Sequence, residues 1–495
     1  MLLALSAALA VTFLVALAYG EGDASAFLIS SALLVIIGLL GFWQTRLHRD
    51  LSVREGYAVV SLSWMAVGVA GALPYILSGS IERPVAALFE SVSGFTTTGA
   101  TVFTDIEALP HGILFWRSLT QWLGGMGIIV LGVAILPFLG VGGMQLFRAE
   151  VPGPTPERLQ PRIAHTAKLL WLVYGALTAA QAGLYLLGGM EPFDAVTHSF
   201  TTLSTGGFSP RNASLAAYPS PFIQYVTIIF MYLAGINFTL HYRAATGRPS
   251  VYLHDREWRF FTLLAVGATA LVLLLTVAGG MYDDTGFERG LRDSLFQVAS
   301  IITTTGFVST DYGLWPIGAQ FVLLLLMFVG GMAGSTAGGI KALRFYVLAR
   351  QTLSELKKSL HPRGVILTRV GDEVVKEDVL ARILIFVIVY LTLFALGTLI
   401  MTILGHDLTT SIGSSAASLG NIGPGLGEVG AVDNYGWLDP ISQLTLLLLM
   451  LIGRLEIFTI LLLLHPGLWR RSRSRHRVTE PAPIPHFPFR GQGRR

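Results

Sequence analysis

Apolar runs of about twenty residues recur along the whole chain, long enough to cross a ~30 Å hydrocarbon core as helices. They are too long and too aliphatic for barrel strands, which read as alternating segments of roughly ten residues. The runs predict helices near 2–20 and 25–45, parted by Gly20-Glu21-Gly22-Asp23. A basic loop follows, and then one pattern occurs four times: long helix, short half-polar helix, glycine-containing stretch, long helix. The first unit has long helices near 56–78 and 114–140 with a short one near 84–95; the second has 166–188 and 221–243 around 192–203. The third has 258–280 and 316–350 around 289–302, and the fourth has 377–404 and 438–466 around 407–419. Two plus eight long helices make ten spans.

The short helices cannot cross. Twelve residues at about 1.5 Å each cover roughly 18 Å. They must descend partway and return as extended chain, which is tolerated at membrane depth only where it is buried in protein or lines a wet cavity. Each is followed by one of four similar stretches: Thr96-Thr97-Thr98-Gly99-Ala100, Leu203-Ser204-Thr205-Gly206-Gly207, Thr303-Thr304-Thr305-Gly306-Phe307 and Gly420-Asn421-Ile422-Gly423-Pro424. Four such segments satisfy one another by surrounding one cavity, with the negative dipole ends of the short helices turned toward it. Two full spans per unit give all four units the same orientation. The expected fold is therefore an all-α membrane protein: ten transmembrane helices, four re-entrant half-helices, and four parallel units about a pseudo-fourfold axis, preceded by two N-terminal helices.

Composition sharpens the class. The 495 residues are 53% hydrophobic and 13% charged, as a polytopic membrane protein requires. With no cysteine, neither a disulfide framework nor a thiolate metal site can form. The net charge of +4 is distributed by loop and gives no sign of nucleic-acid binding. Basic residues fall in alternate loops: Arg46, Arg49 and Arg54; Arg148, Arg158, Arg162 and Lys168; Arg243, Arg248, Arg256 and Arg259; Lys341, Arg344, Arg350, Lys357, Lys358 and Arg363; and a tail from Arg470. The intervening loops lean acidic, with Asp105, Glu107, Glu191, Asp194, Asp311, Asp407 and Glu428 among them. The positive-inside rule then puts both termini in the cytoplasm and brings the four stretches in from outside. The run 2–19 lacks a basic leader segment and is expected to stay as a helix, not to be cleaved as a signal peptide.

A cation in a narrow pore needs oxygen ligands in place of water, and backbone carbonyls supply them without fixed charge. Glycine permits the torsions that aim consecutive carbonyls at one axis. The candidate filter is Thr97, Thr98, Gly99 and Ala100; Ser204, Thr205, Gly206 and Gly207; Thr304, Thr305, Gly306 and Phe307; and Asn421, Ile422, Gly423 and Pro424. Gly99, Gly206, Gly306 and Gly423 are expected to be the torsional keys.

The chain resembles the membrane subunit of the Trk/Ktr/HKT superfamily of potassium transporters, most closely the bacterial TrkH type. The likeness runs to about Trp469 and rests on Ser93-Gly94-Phe95-Thr96-Thr97-Thr98-Gly99-Ala100-Thr101, Gln121-Trp122-Leu123-Gly124-Gly125-Met126-Gly127, Ser204-Thr205-Gly206-Gly207-Phe208, Gly330 through Lys341, and Gly453-Arg454-Leu455-Glu456. The resemblance implies potassium uptake across a bacterial inner membrane by a single-chain pseudo-tetramer. It also implies a homodimer, a cytosolic nucleotide-binding ring of the TrkA (RCK) type, and K+ as the transported ion with no covalently bound cofactor. In the superfamily a serine at the first-unit glycine accompanies sodium permeation, so Gly99 favours potassium.

A second set of residues lies below the stretches. Gly330, Gly331, Gly334, Ser335, Thr336, Gly338, Gly339 and Lys341 interrupt a long apolar helix. They read either as a close helix–helix contact of small residues or as a flexible intramembrane gating loop, the reading the resemblance supports. Arg454 lies past mid-membrane, where a charge costs on the order of 2.5–3.5 kcal/mol. It either snorkels to the inner surface or places a positive charge in the pore; the family carries an arginine at this place. Glu456, two residues on, faces elsewhere. Glu191, Asp194 and Asp407 either cap the half-helices or concentrate cations outside, and His198 reads as a packing residue before a proton relay. The expected divisions are 1–48 (N-terminal helices), 49–147, 148–248, 249–362 (with the loop 330–341) and 363–469 (the four units), and a basic, proline-rich tail 470–495. The alternatives to a pore are a potassium transporter coupled to protons or sodium, for which the stretches offer no titratable group, and an intramembrane serine protease at Ser335, for which no histidine partner is evident.

Overall fold

The computed structural model of the chain describes residues 1–44, 53–134, 159–370 and 373–466. The tail expected from Arg470, the continuation of the first unit beyond Ala134, and Arg46, Arg49, Arg148 and Arg158 lie outside the described residues. So do the expected divisions at 48 and 147.

The chain is mostly helical. Helices α1 (Leu2–Tyr19) and α2 (Ala24–Gln44) form an antiparallel hairpin. The first repeat is α3 (Val53–Leu77), α4 (Pro84–Phe95) and α5 (His111–Ala134). The second is α6 (Leu159–Leu187), α7 (Pro192–Leu203), α8 (Pro221–Ala234) and α9 (Phe238–Ala245). A short turn of helix, α10 (Val251–His254), leads to α11 (Arg256–Ala278), α12 (Phe287–Ile302) and α13 (Ile317–Met327). Two paired segments, β1 (Val329–Gly330) and β2 (Ile340–Lys341), bound a glycine-rich loop before α14 (Ala342–Leu360). A small antiparallel ribbon, β3 (Arg369–Val370) and β4 (Glu373–Val374), precedes α15 (Glu377–Ile403), α16 (Leu408–Gly420), α17 (Pro440–Arg454) and α18 (Phe458–Leu464).

Among the described residues, six helices are long and apolar enough to cross a membrane: α1, α2, α3, α6, α11 and α15. Helices α8 and α9 make a seventh if counted together, although they meet at 104°. The shortfall from ten has a local cause. Three of the four missing spans are broken helices, leaving α13 and α17 as apolar pieces of 11 and 15 residues; the fourth is α5, which is continuous over His111–Ala134 but is not among the six. Only the break after α13 contains a dense run of glycines. The α8–α9 break at Gly235-Ile236-Asn237 restarts on the Asn237 side chain, which accepts from Thr239 N. The α17–α18 break contains Glu456 and Ile457 at φ 59° and 36°, with neither glycine nor proline.

The short helices α4, α7, α12 and α16 differ from the rest in being buried on nearly every face. In α4 everything from Phe89 to Phe95 is buried, and in α16 so are Ser411, Ser414, Ser415 and Ser418. Proline at the first turn of α4 and α7, and Asp407 accepting from Thr409 N and Thr410 N at α16, set where these helices begin. The long helices stand around them. Helix α3 packs on α4, α6 on α7, α11 on α12 and α15 on α16, while α1 leans on α5.

Candidate functional site

All four short helices end in the same way. The first residue to leave right-handed torsions takes left-handed ones: Thr97 (φ 52°), Thr205 (54°), Thr304 (55°) and Asn421 (55°). Its N–H bonds back three residues, to Gly94, Thr202, Ile301 and Ser418. The next N–H bonds back five residues, from Thr98 to Ser93, Gly206 to Thr201, Thr305 to Ser300 and Ile422 to Ala417, at 2.8–2.9 Å. This is the Schellman termination, and it fixes the register of the outgoing chain. Two residues on, the backbone again takes positive φ, at Gly99 (83°), Gly207 (76°), Gly306 (79°) and Gly423 (97°). The second stretch therefore differs from the sequence expectation. Its left-handed glycine is Gly207, and Gly206 occupies the place held by Thr98, Thr305 and Ile422 elsewhere.

These glycines form a closed circuit. A Cβ at Gly99 would fall 2.0 Å from the carbonyl oxygen of Gly206, and one at Gly207 would fall 2.1 Å from that of Thr305. At Gly306 it would meet the Ile422 oxygen at 1.8 Å, and at Gly423 the Thr98 oxygen at 2.6 Å. Each stretch thus presses its glycine against the corresponding carbonyl of the next, and the fourth returns to the first. Above the circuit lies an open bowl lined by Gly99, Gly207, Gly306 and Gly423 together with Asp433 and Tyr435. Ala100 and Phe307 are buried beside it, and Pro424 lies at its edge. Thr97 Oγ1 and Asn421 Oδ1, just below, are buried without a hydrogen-bond partner among the described residues.

The outgoing strands are braced from behind. Glu90 on α4 and Arg117 on α5 form a fully buried ion pair at 2.8 Å. Glu90 also accepts from Val102 N at 2.9 Å, and Arg117 donates to Thr101 Oγ1 and Ser209 O while stacking 4.2 Å over the Phe208 ring. Gln121 donates to Gly206 O at 2.6 Å, Tyr435 donates to Gly423 O at 2.7 Å, and Ser300 donates to Phe307 O at 2.7 Å. Sequence reasoning assigned no role to Glu90, Arg117 or Gln121. The available signal was polarity inside apolar segments, where an ionisable side chain is costly and has a partner.

Directly beneath sits the glycine-rich loop, in contact with three of the four helix ends. Thr336 Oγ1 donates to Leu203 O at 3.0 Å, Gly338 N donates to Thr304 Oγ1 at 2.7 Å, and a Cβ on Gly338 would meet Gly420 O at 2.4 Å. Parallel pairing of Val329 with Ile340 and Gly330 with Lys341 closes the loop at its base. Gly330 lies so near Gly338 O that a Cβ would fall 1.9 Å from it. Gly331 and Gly334 approach the α8–α9 break, where Met332 N bonds Gly235 O at 2.9 Å and Phe238 N bonds Gly334 O at 3.1 Å. The broken α8 thus supplies carbonyls that a continuous helix would have used internally. Gly339 takes φ 66° at the turn back to β2. Ser335 donates to Met332 O, within the loop.

Charges surround this loop. Arg454 is 2% exposed, donates Nη1 to Thr336 O at 2.7 Å, and so does not reach a surface. Lys341 Nζ donates to Ala337 O. Glu257 on α11 accepts from Ala333 N at 2.8 Å and Leu343 N at 3.1 Å, tying both ends of the loop to one carboxylate. Glu456 turns away from Arg454, as its spacing requires, and pairs with Arg344 on α14 at 2.5 Å. On the bowl side, Asp194 accepts from Arg211 Nε at 2.6 Å and from Tyr218, and is not a helix cap. Asp407 is one, and hydrogen bonds from Thr410 and Thr409 hold its carboxyl below the usual range. His198 bonds Asp194 O and Ser209 Oγ, as a packing residue does.

Residues 23–468 match the TrkH family pattern, described as cation transport protein. The "Trk system potassium uptake protein TrkH" of Salmonella typhimurium is 42% identical over 461 residues, 92% of this chain and 95% of that one. The "Trk system potassium uptake protein TrkI" of Halomonas elongata is 36% identical over 472 residues, covering 95% of each. The crystal structure of the potassium transporter TrkH from Vibrio parahaemolyticus superposes with a TM-score of 0.87 at 39% identity, over 95% of this chain and 97% of that chain.

Proposed function

The chain belongs to the TrkH family of cation transport proteins, multi-pass membrane proteins and not enzymes, and on that premise we propose that it takes up potassium through a pore lined by the four stretches. The observation that carries the reading is the closed circuit in which each stretch's glycine abuts the next stretch's carbonyl. A ring of peptide oxygens is what a dehydrated alkali cation requires, and the buried Thr97 Oγ1 and Asn421 Oδ1, unpartnered among the described residues, add oxygens just beneath it. The ligands are the backbone of the four stretches, with Thr98, Gly206, Thr305 and Ile422 at the circuit itself. K+ is the transported ion, and no cofactor is involved.

In this reading the loop 330–341 is the gate. It lies under the ring, and Arg454 holds it there while placing a positive charge on the path. The chain crosses the bacterial inner membrane ten times, counting α5 as a span and α8–α9, α13–α14 and α17–α18 as broken spans, with both termini cytoplasmic. The short helices are re-entrant from outside, and the units divide as the sequence repeats do. The protein works as a homodimer with a cytosolic nucleotide-binding ring of the TrkA type. Rubidium uptake into liposomes holding the purified protein tests the function. Uptake should follow an imposed negative-inside potential with neither sodium nor a proton gradient present. Uptake that requires either gradient would replace the pore with a coupled transporter.

A further inference from the structure

One side of the circuit is built differently from the other three. Thr98, Thr305 and Ile422 bear side chains at the residue whose carbonyl meets the next glycine, whereas the second stretch has Gly206 there. The space a side chain would fill is taken by a carboxamide from another unit. A Cβ on Gly206 would lie 2.4 Å from Cδ and Oε1 of Gln121 and 2.8 Å from its Nε2.

Gln121 stands on α5, is fully buried, and grips the second stretch at two points. Its Nε2 donates to Gly206 O at 2.6 Å, and its Oε1 accepts from Phe208 N at 3.0 Å, so the amide spans Gly207. In the first and third stretches the matching hydroxyls, Thr98 and Thr305, bond within their own stretch to Thr96 and Thr303 at 2.8 and 2.7 Å, and Thr98 Oγ1 also accepts from Asn421 Nδ2 at 2.9 Å. Among the described residues no hydrogen bond reaches the carbonyl oxygens of Thr98, Thr305 or Ile422, so Gly206 alone shares its oxygen with a protein donor.

We infer that Gln121 is a positioning residue for ion selectivity, an inference that rests on the filter reading above. A donor fixed at both ends sets the direction of the Gly206 carbonyl. It keeps that side of the ring from closing inward on an ion smaller than potassium. Gln121 and Gly206 form an interlocked pair that does the work of a threonine in the neighbouring stretches.

The test is the potassium-to-sodium permeability ratio in liposomes. Gln121→Ala and Gln121→Met should each lower it about five- to tenfold, the factor equivalent to a net hydrogen bond of ~1–1.4 kcal/mol. Gly206→Thr alone should also lower it, by displacing the amide. Gln121→Ala combined with Gly206→Thr should recover most of the ratio, because the pair then matches the first and third stretches. An unchanged ratio in the Gln121 variants overturns the assignment, as does a double variant no better than either single one. Should Gln121→Ala fail to fold, Gln121→Met keeps the length and most of the volume and decides alone. Gly99→Ser is measured alongside. If it too leaves the ratio unchanged, the filter reading falls; if only the Gln121 variants are silent, only this inference does.

Discussion

Threonine rarely adopts left-handed torsions, yet Thr97, Thr205 and Thr304 all do so. A β-branched residue held there costs on the order of 1–3 kcal/mol, so packing around each helix end must enforce it. The glycine two residues on has no room to vary: at Gly99 the obstacle is the Gly206 carbonyl, which is backbone and yields only if the second stretch itself shifts. Gly99→Ser should therefore push that carbonyl out of the ring and lower the potassium-to-sodium flux ratio; an unaltered ratio would remove Gly99 from the filter. The glycine motif was legible in the sequence because it occurs four times. Its register in the second stretch was not, since Gly206 and Gly207 are adjacent and only the count back from the end of α7 decides between them. Glu90 and Arg117 were legible only as unexplained charges. Removing one partner of a buried pair costs about 3–5 kcal/mol, so Glu90→Gln should markedly lower the melting temperature in detergent. Joint replacement of Glu90 and Arg117 by leucine and methionine should recover much of that loss.

At the level of elements, the broken helices matter most. The interruption after α13 had a signal in the sequence, five glycines with Ser335 and Thr336, which read either as a break in the helix or as a close contact between helices. The breaks after α8 and α17 had none, because their causes are tertiary. Helix α8 ends where Ala234 and Gly235 give their carbonyls to the loop, and α17 ends where Glu456 must swing round to Arg344. All three breaks surround the same loop, and the charged side chains that clasp it are Arg454 and Glu257, beside the Thr304 hydroxyl. Arg454→Ala withdraws a donor from Thr336 O and a positive charge from the proposed path, so rubidium flux should rise. Flux equal to that of the parent protein would mean that Arg454 serves only to pack. Glu257→Gln should act in the same direction and more weakly, since an amide oxygen still accepts from Ala333 N and Leu343 N.

For the whole molecule the relevant quantity is the membrane potential. A negative-inside potential supplies roughly 2.3 kcal/mol per 100 mV for each monovalent cation, which at ~1.4 kcal/mol per factor of ten permits about fiftyfold accumulation. Collapsing the potential with an ionophore should abolish concentrative rubidium uptake in proteoliposomes, while clamping pH and omitting sodium should not. The repeat architecture behind this was evident from hydrophobic spacing; the circular order of contacts was not, because it is a property of four segments distant in sequence. That circle has an evolutionary corollary. In a channel assembled from four identical chains, every substitution strikes all four walls at once. In the proposed pore the four walls are separately encoded, so selection can retune ion preference one quadrant at a time, and the inferred pairing of Gly206 with Gln121 is such a change confined to one side.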